Sequence, residues 1–144
     1  MILETEGDTM RAGAALAAVV RGGDVITLSG SLGAGKTAFA RGFIRALGHS
    51  GDVPSPSFAI VQPYEELDPP VWHVDLYRID DPSELAELGL DDAADGVLIV
   101  EWPERADHAF GPDTLRLSLQ VAPNGDRILT ANVPPSWVDR WPPR

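Results

Sequence analysis

Apolar positions along this chain recur at two spacings, every second residue or every third to fourth, and the two spacings separate strands from helices. Residues 2–5 read as a short strand. Ala12, Leu16, Val19 and Val20 share one stripe, which predicts a helix capped by Asp8 or Thr9 and stopped at Gly22-Gly23. Val25-Ile26-Thr27-Leu28 is a buried β-branched strand, and Phe39, Phe43, Ile44 and Leu47 return to helical spacing before Gly48. Pro54 and Pro56 make 51–57 a loop, followed by an extended Phe58-Ala59-Ile60-Val61. Val71 to Ile79 alternates as a strand, with Trp72, Val74 and Leu76 on one face and His73, Asp75 and Tyr77 on the other. Asp81-Pro82-Ser83-Glu84 starts a short helix that Gly89 ends. Val97-Leu98-Ile99-Val100 is apolar throughout, as a central parallel strand covered on both faces must be. Leu115 to Val121 and Ile128 to Val133 flank Pro123-Asn124-Gly125-Asp126 as a hairpin, and the tail from Pro134 to Arg144 is open to packing or fraying.

These elements imply one α/β domain over residues 1–144, with a mostly parallel central sheet and a C-terminal antiparallel hairpin. A net charge of −11 argues against a broad footprint on DNA or RNA, because such binding rests on clustered Lys and Arg. The absence of cysteine excludes disulfides and zinc–thiolate sites. With no apolar run of membrane-spanning length and no basic-then-apolar leader, the expectation is a cytoplasmic protein that does not engage membranes.

The chain's one lysine, Lys36, closes Gly30-Ser31-Leu32-Gly33-Ala34-Gly35-Lys36-Thr37, the spacing G-x-x-x-x-G-K-[ST]. At this composition the pattern arises by chance about once in a thousand chains, and here it lies between a strand and a helix as a phosphate-binding loop requires. In such a loop backbone N–H groups cradle phosphates, the lysine neutralises the β- and γ-phosphates and the hydroxyl binds Mg²⁺. A nucleoside triphosphate with Mg²⁺ is therefore the expected ligand. A GTP-reading Asn-Lys-x-Asp motif cannot exist with Lys36 as the single lysine.

Phosphoryl transfer also needs an acid that holds Mg²⁺, directly or through water, and a group that orients the attacking water. Glu101 follows the apolar Val97–Val100 run and so falls at the carboxyl edge of the sheet, where ligands of open α/β sheets bind. Asp75 lies within His73-Val74-Asp75-Leu76-Tyr77-Arg78. With Lys36 these are the candidate catalytic residues, and with Thr37 the candidate metal ligands. His73 reads as a structural histidine. Trp102 stacks on a base or anchors its loop, and Ser55 and Ser57 are either turn hydroxyls or sensors of the γ-phosphate.

The phosphate loop, Ser55-Pro56-Ser57-Phe58, His73-Val74-Asp75-Leu76-Tyr77-Arg78 and Glu101-Trp102-Pro103-Glu104 together resemble the TsaE family, small bacterial ATPases of tRNA threonylcarbamoyladenosine synthesis, over about residues 5–105. Ser31 and Ser57 stand where family members usually carry an acidic residue and a threonine. The resemblance implies ATP held by Leu32, Gly33, Ala34, Gly35, Lys36 and Thr37, Mg²⁺ near Thr37 and Glu101, Asp75 as the Walker-B-like acid, and 55–57 as a switch-like loop. It further implies an ATPase that docks on the threonylcarbamoyl-transferring subunit and its paralogous partner, meeting tRNA through them. Two other readings stay open: a small-molecule kinase, which needs an acceptor pocket and an arginine-bearing lid, and a nucleotide-dependent switch without hydrolysis.

Overall fold

In the computed structural model, which describes residues 1–56, 60–88, 90, 95–106 and 109–142, the backbone pairs into one sheet of seven strands in the order β1-β7-β6-β2-β5-β4-β3. The strands are β1 (Ile2–Leu3), β2 (Val25–Ser29), β3 (Val61–Tyr64), β4 (Val71–Asp75), β5 (Val97–Glu101), β6 (Leu115–Val121) and β7 (Arg127–Asn132). The inner four, β6, β2, β5 and β4, are mutually parallel, whereas β3, β7 and β1 pair antiparallel at the edges. Half of the pairings are thus antiparallel, so the expected mostly parallel sheet is a mixed one with a parallel centre. Short connections explain the edges: β3–β4 and β6–β7 return by turns, which join only antiparallel strands. The expected hairpin is present, and its first strand also runs parallel to β2, with Ile26 opposite Leu115 and Ser29 opposite Ser118.

Two helices, α1 (Glu6–Ala17) and α2 (Lys36–Ala46), cover one face of this single α/β domain. The cap of α1 is Thr5 rather than Asp8 or Thr9. Asp8 is the third helical residue: its N–H donates to Thr5 Oγ1 at 3.0 Å, and its carboxylate accepts from the Thr5 N–H at 3.1 Å, which closes a reciprocal capping box. Val19 and Val20 lie beyond the helix but pack against the same core. Glycines bring the helices together. A Cβ at Gly13 would fall 2.1 Å from the Phe39 carbonyl oxygen and one at Gly42 would fall 2.0 Å from that of Met10, so neither position accommodates a side chain.

On the other face a smaller cluster of Val74, Leu76, Ile79, Val100, Ala106 and Phe110 forms under the turns at Pro82–Leu88 and Pro103–Arg105. Cover on both faces buries every residue of β4, so burial does not distinguish the two faces between which its side chains alternate. The strand also stops at Asp75 rather than Ile79, because Asp75 Oδ1 turns to accept the Tyr77 N–H at 2.9 Å. The segment expected as a short helix is a 3₁₀ helix over Pro82–Leu88, and its expected terminator Gly89 lies outside the described residues. The tail packs as far as it is described. Trp137 is fully buried, with the Arg140 guanidinium 3.7 Å from its ring, and Arg140 forks onto Asp24 at 2.7 and 3.2 Å.

Candidate functional site

The loop 30–35 leaves the carboxyl end of β2 and enters α2, whose N-terminal flank Gly35 takes φ 105° and supplies no side-chain cap. With no acid in the first turn either, the leading N–H groups of α2 and the helix dipole face the loop without an internal counter-charge, the arrangement that binds anions. Gly33 also takes a positive φ of 78°, and a Cβ there would meet nothing within 4 Å, so this part of the loop borders open space. The cleft beside it has a volume of about 590 Å³ and is walled by the loop, the start of α1, the ends of β4 and β5, and the β6–β7 turn.

Strand register brings the acids to this edge. Glu101 is the last residue of β5, opposite Leu28 on β2 and Asp75 on β4. Its carboxylate accepts the Thr37 hydroxyl, with Oγ1 3.1 Å from Oε1 and 3.3 Å from Oε2. Oε2 also lies 2.6 Å from His73 Nε2, whose N–H donates because an ionised carboxylate only accepts. His73 is fully buried and its Nδ1 has no hydrogen-bond partner among the described residues, so the bond to Glu101 is the polar contact seen to orient the ring. The expected structural histidine is therefore attached to the candidate catalytic acid. Asp75 is buried alongside, and loss of water pushes its carboxyl pKa upward, reinforced by the Glu101 charge and opposed by the Tyr77 N–H, His73 and Lys36.

The Lys36 ammonium donates to the carbonyls of Gly30 and, at 3.2 Å, Ser31, and lies 3.7 Å from the centroid of the Trp102 ring. Burial depresses its pKa, while Glu101, Glu104 and Asp75 act to raise it. Trp102 follows Glu101 in a left-handed conformation, φ 59° and ψ 49°, which turns the indole from the strand toward Lys36 and Tyr77, the latter ring 4.9 Å away. Leu32 is 71 % exposed at the loop tip. Ser55 lines the cleft, whereas Ser57 lies outside the described residues. Among the described residues no three His, Asp or Glu side chains gather as a metal cage, so a cation here would draw most of its ligands from phosphate and water, as Mg²⁺ does.

Three arginines far apart in the sequence, Arg41, Arg78 and Arg127, reach the cleft wall. Arg127 carried no sequence signal. Its partners are the carbonyls of Gly33, Ala34 and Gly125, two of them more than ninety positions away, and no local spacing reveals such contacts.

A strand, a glycine loop and a helix opened by lysine, set at the carboxyl edge of a parallel sheet centre, define the P-loop NTPase class of α/β fold. Comparison with known proteins narrows the class. Residues 3–129 match the family model of the threonylcarbamoyl adenosine biosynthesis protein TsaE, and the chain belongs to that family. It is 40 % identical over 116 residues to the tRNA threonylcarbamoyladenosine biosynthesis protein TsaE of Bacillus subtilis, covering 79 % of this chain and 72 % of that one. The protein of the same name from Streptomyces coelicolor is 42 % identical over 114 residues, covering 76 % and 77 %. The crystal structure of Bacillus subtilis YdiB superposes with a TM-score of 0.82 at 30 % identity, covering 96 % of this chain and 87 % of that one.

Proposed function

We propose that the cleft binds ATP with Mg²⁺ and hydrolyses it to ADP and phosphate, as the ATPase component of the machinery that makes threonylcarbamoyladenosine in tRNA. The observation that carries this reading is the uncapped N-terminus of α2 behind the glycine loop, with Lys36 and the Thr37–Glu101 pair at its mouth. Leu32 to Thr37 would hold the phosphates, Lys36 would neutralise their charge, and Trp102 and Ser57 would complete the nucleotide site. Thr37, Glu101 and Asp75 would hold Mg²⁺ between side chains, water and phosphate. Bound there, the cation neutralises charge on the transferred phosphoryl group. The residues present fit it: one hydroxyl and two buried carboxyl groups lie along one sheet edge.

Lys36 is held by loop carbonyls and the Trp102 ring, and in this reading hydrolysis is weak alone and stimulated in a complex. The partners would be the threonylcarbamoyl-transferring subunit and its paralogous companion, with tRNA met through them. The chain would support their turnover rather than transfer the group itself, and its charge of −11 suits docking on more basic subunits. Product analysis after incubation with Mg²⁺ and ATP tests the chemistry. Free phosphate is the expected product; a phosphorylated acceptor would mean a kinase, and unchanged triphosphate with retained binding would mean a switch.

A further inference from the structure

We propose that Arg127 is a positioning residue that holds the phosphate loop in its ligand-ready shape, an inference that rests on the cleft being a nucleotide site. A loop that points successive N–H groups inward must turn the matching carbonyls outward, and those oxygens need donors. Packing does not fix the loop at its tip: Leu32 is exposed, Gly33 has φ 78°, and a Cβ at Gly33 would meet no neighbour. Arg127 supplies what packing does not. Its Nη2 donates to Gly33 O at 3.1 Å and its Nε to Ala34 O at 3.0 Å, so two successive outward carbonyls sit on one rigid fork. The other arm, Nη1, donates to Gly125 O at 2.6 Å in the β6–β7 turn.

The fork is itself anchored. Arg127 opens β7 opposite Val121 of β6, and its other neighbour in the sheet is Leu3 of β1. The loop is thereby tied to the edge of the sheet and to the β6–β7 turn, by contacts that require a planar group with donors on separate edges. Lysine carries the same charge on a single point and cannot span Gly33, Ala34 and Gly125 together.

The test compares Arg127→Lys and Arg127→Ala with the wild type in two measurements: binding of a fluorescent ATP analogue with Mg²⁺, and amide hydrogen exchange of residues 31–36 without nucleotide. Expected results are an approximately tenfold or greater loss of affinity in both variants, the size of one to two charge-assisted hydrogen bonds, and faster exchange across the loop with the global melting temperature little changed. Wild-type affinity in Arg127→Lys alongside weak binding in Arg127→Ala would mean that Arg127 acts by charge on the ligand, and would overturn the proposal. Unchanged loop exchange in both variants would also overturn it. If the wild type itself binds no better than Lys36→Ala, the nucleotide reading falls, while the exchange data still decide whether Arg127 holds the loop.

Discussion

Water loss drives Lys36 and Asp75 toward their neutral forms, and their mutual attraction restrains both. For Asp75 the consequence for stability has a definite sign. A carboxyl whose folded pKa is raised binds more protons folded than unfolded between its ordinary value of 3.8 and the raised one, so its contribution to stability falls as pH rises through that window. Asp75→Asn, which keeps an oxygen for the Tyr77 N–H, should therefore melt higher than the wild type at pH 7. The gap should narrow as pH drops toward 4, and equal melting temperatures at pH 7 would contradict the burial argument. Glu101 has a different expected signature. Glu101→Gln keeps the shape that meets Thr37 and His73 but removes the charge, so kcat should fall about a hundredfold or more while nucleotide affinity changes by less than about threefold. Wild-type turnover in this variant would remove Glu101 from the mechanism. Glu101 was legible in the sequence because it ends an apolar run; its bond to His73 was not, since it joins neighbouring strands through a register that sequence does not print.

Helix α2 carries the loop, so its seating on α1 sets where Lys36 and Thr37 lie. That seating depends on Gly13 and Gly42, where backbone meets backbone. Gly42→Ala would drive a methyl into the Met10 carbonyl and should destabilise the fold by about 1–3 kcal/mol or more, read from urea unfolding. An unchanged midpoint would show that the helices have room to separate. Local chemistry made α2 and the loop legible, because glycine, lysine and the helical spacing of Phe39, Phe43 and Ile44 are contiguous. The start of α1 was misplaced for a specific reason: Asp8 is a good cap residue, but here it serves as the reciprocal partner of Thr5. Likewise the apolar pattern of β4 continues through Leu76 and Ile79, which are buried in a turn rather than in the strand. Burial and strand geometry coincide only until a side chain such as Asp75 captures the backbone.

Across the whole molecule, the strand alternation announced the β6–β7 hairpin, yet its place beside β2 depends on pairing 89 residues apart and left no local trace. That placement matters to the site, since it brings Arg127 to the phosphate loop. The tail packs back on the domain through Trp137 and Arg140, both beyond the residues matched by the family model, with Arg140 forked onto Asp24 inside them. Arg140→Ala would leave Asp24 largely buried without its cation and should cost about 3–5 kcal/mol in denaturant unfolding. A loss under about 1 kcal/mol would mark the tail as dispensable. Among the described residues no helix is long and apolar enough to cross a membrane. The strong net negative charge then bears on association, and the central claim is that this cleft spends ATP for a partner complex. Phosphate release with Mg²⁺ and ATP, measured for the chain alone and with the threonylcarbamoyl-transferring subunits and tRNA, tests it most directly, with Lys36→Ala as control. Slow release that the partners accelerate, and that Lys36→Ala abolishes, is the predicted result; no release above the control in either condition would contradict the account.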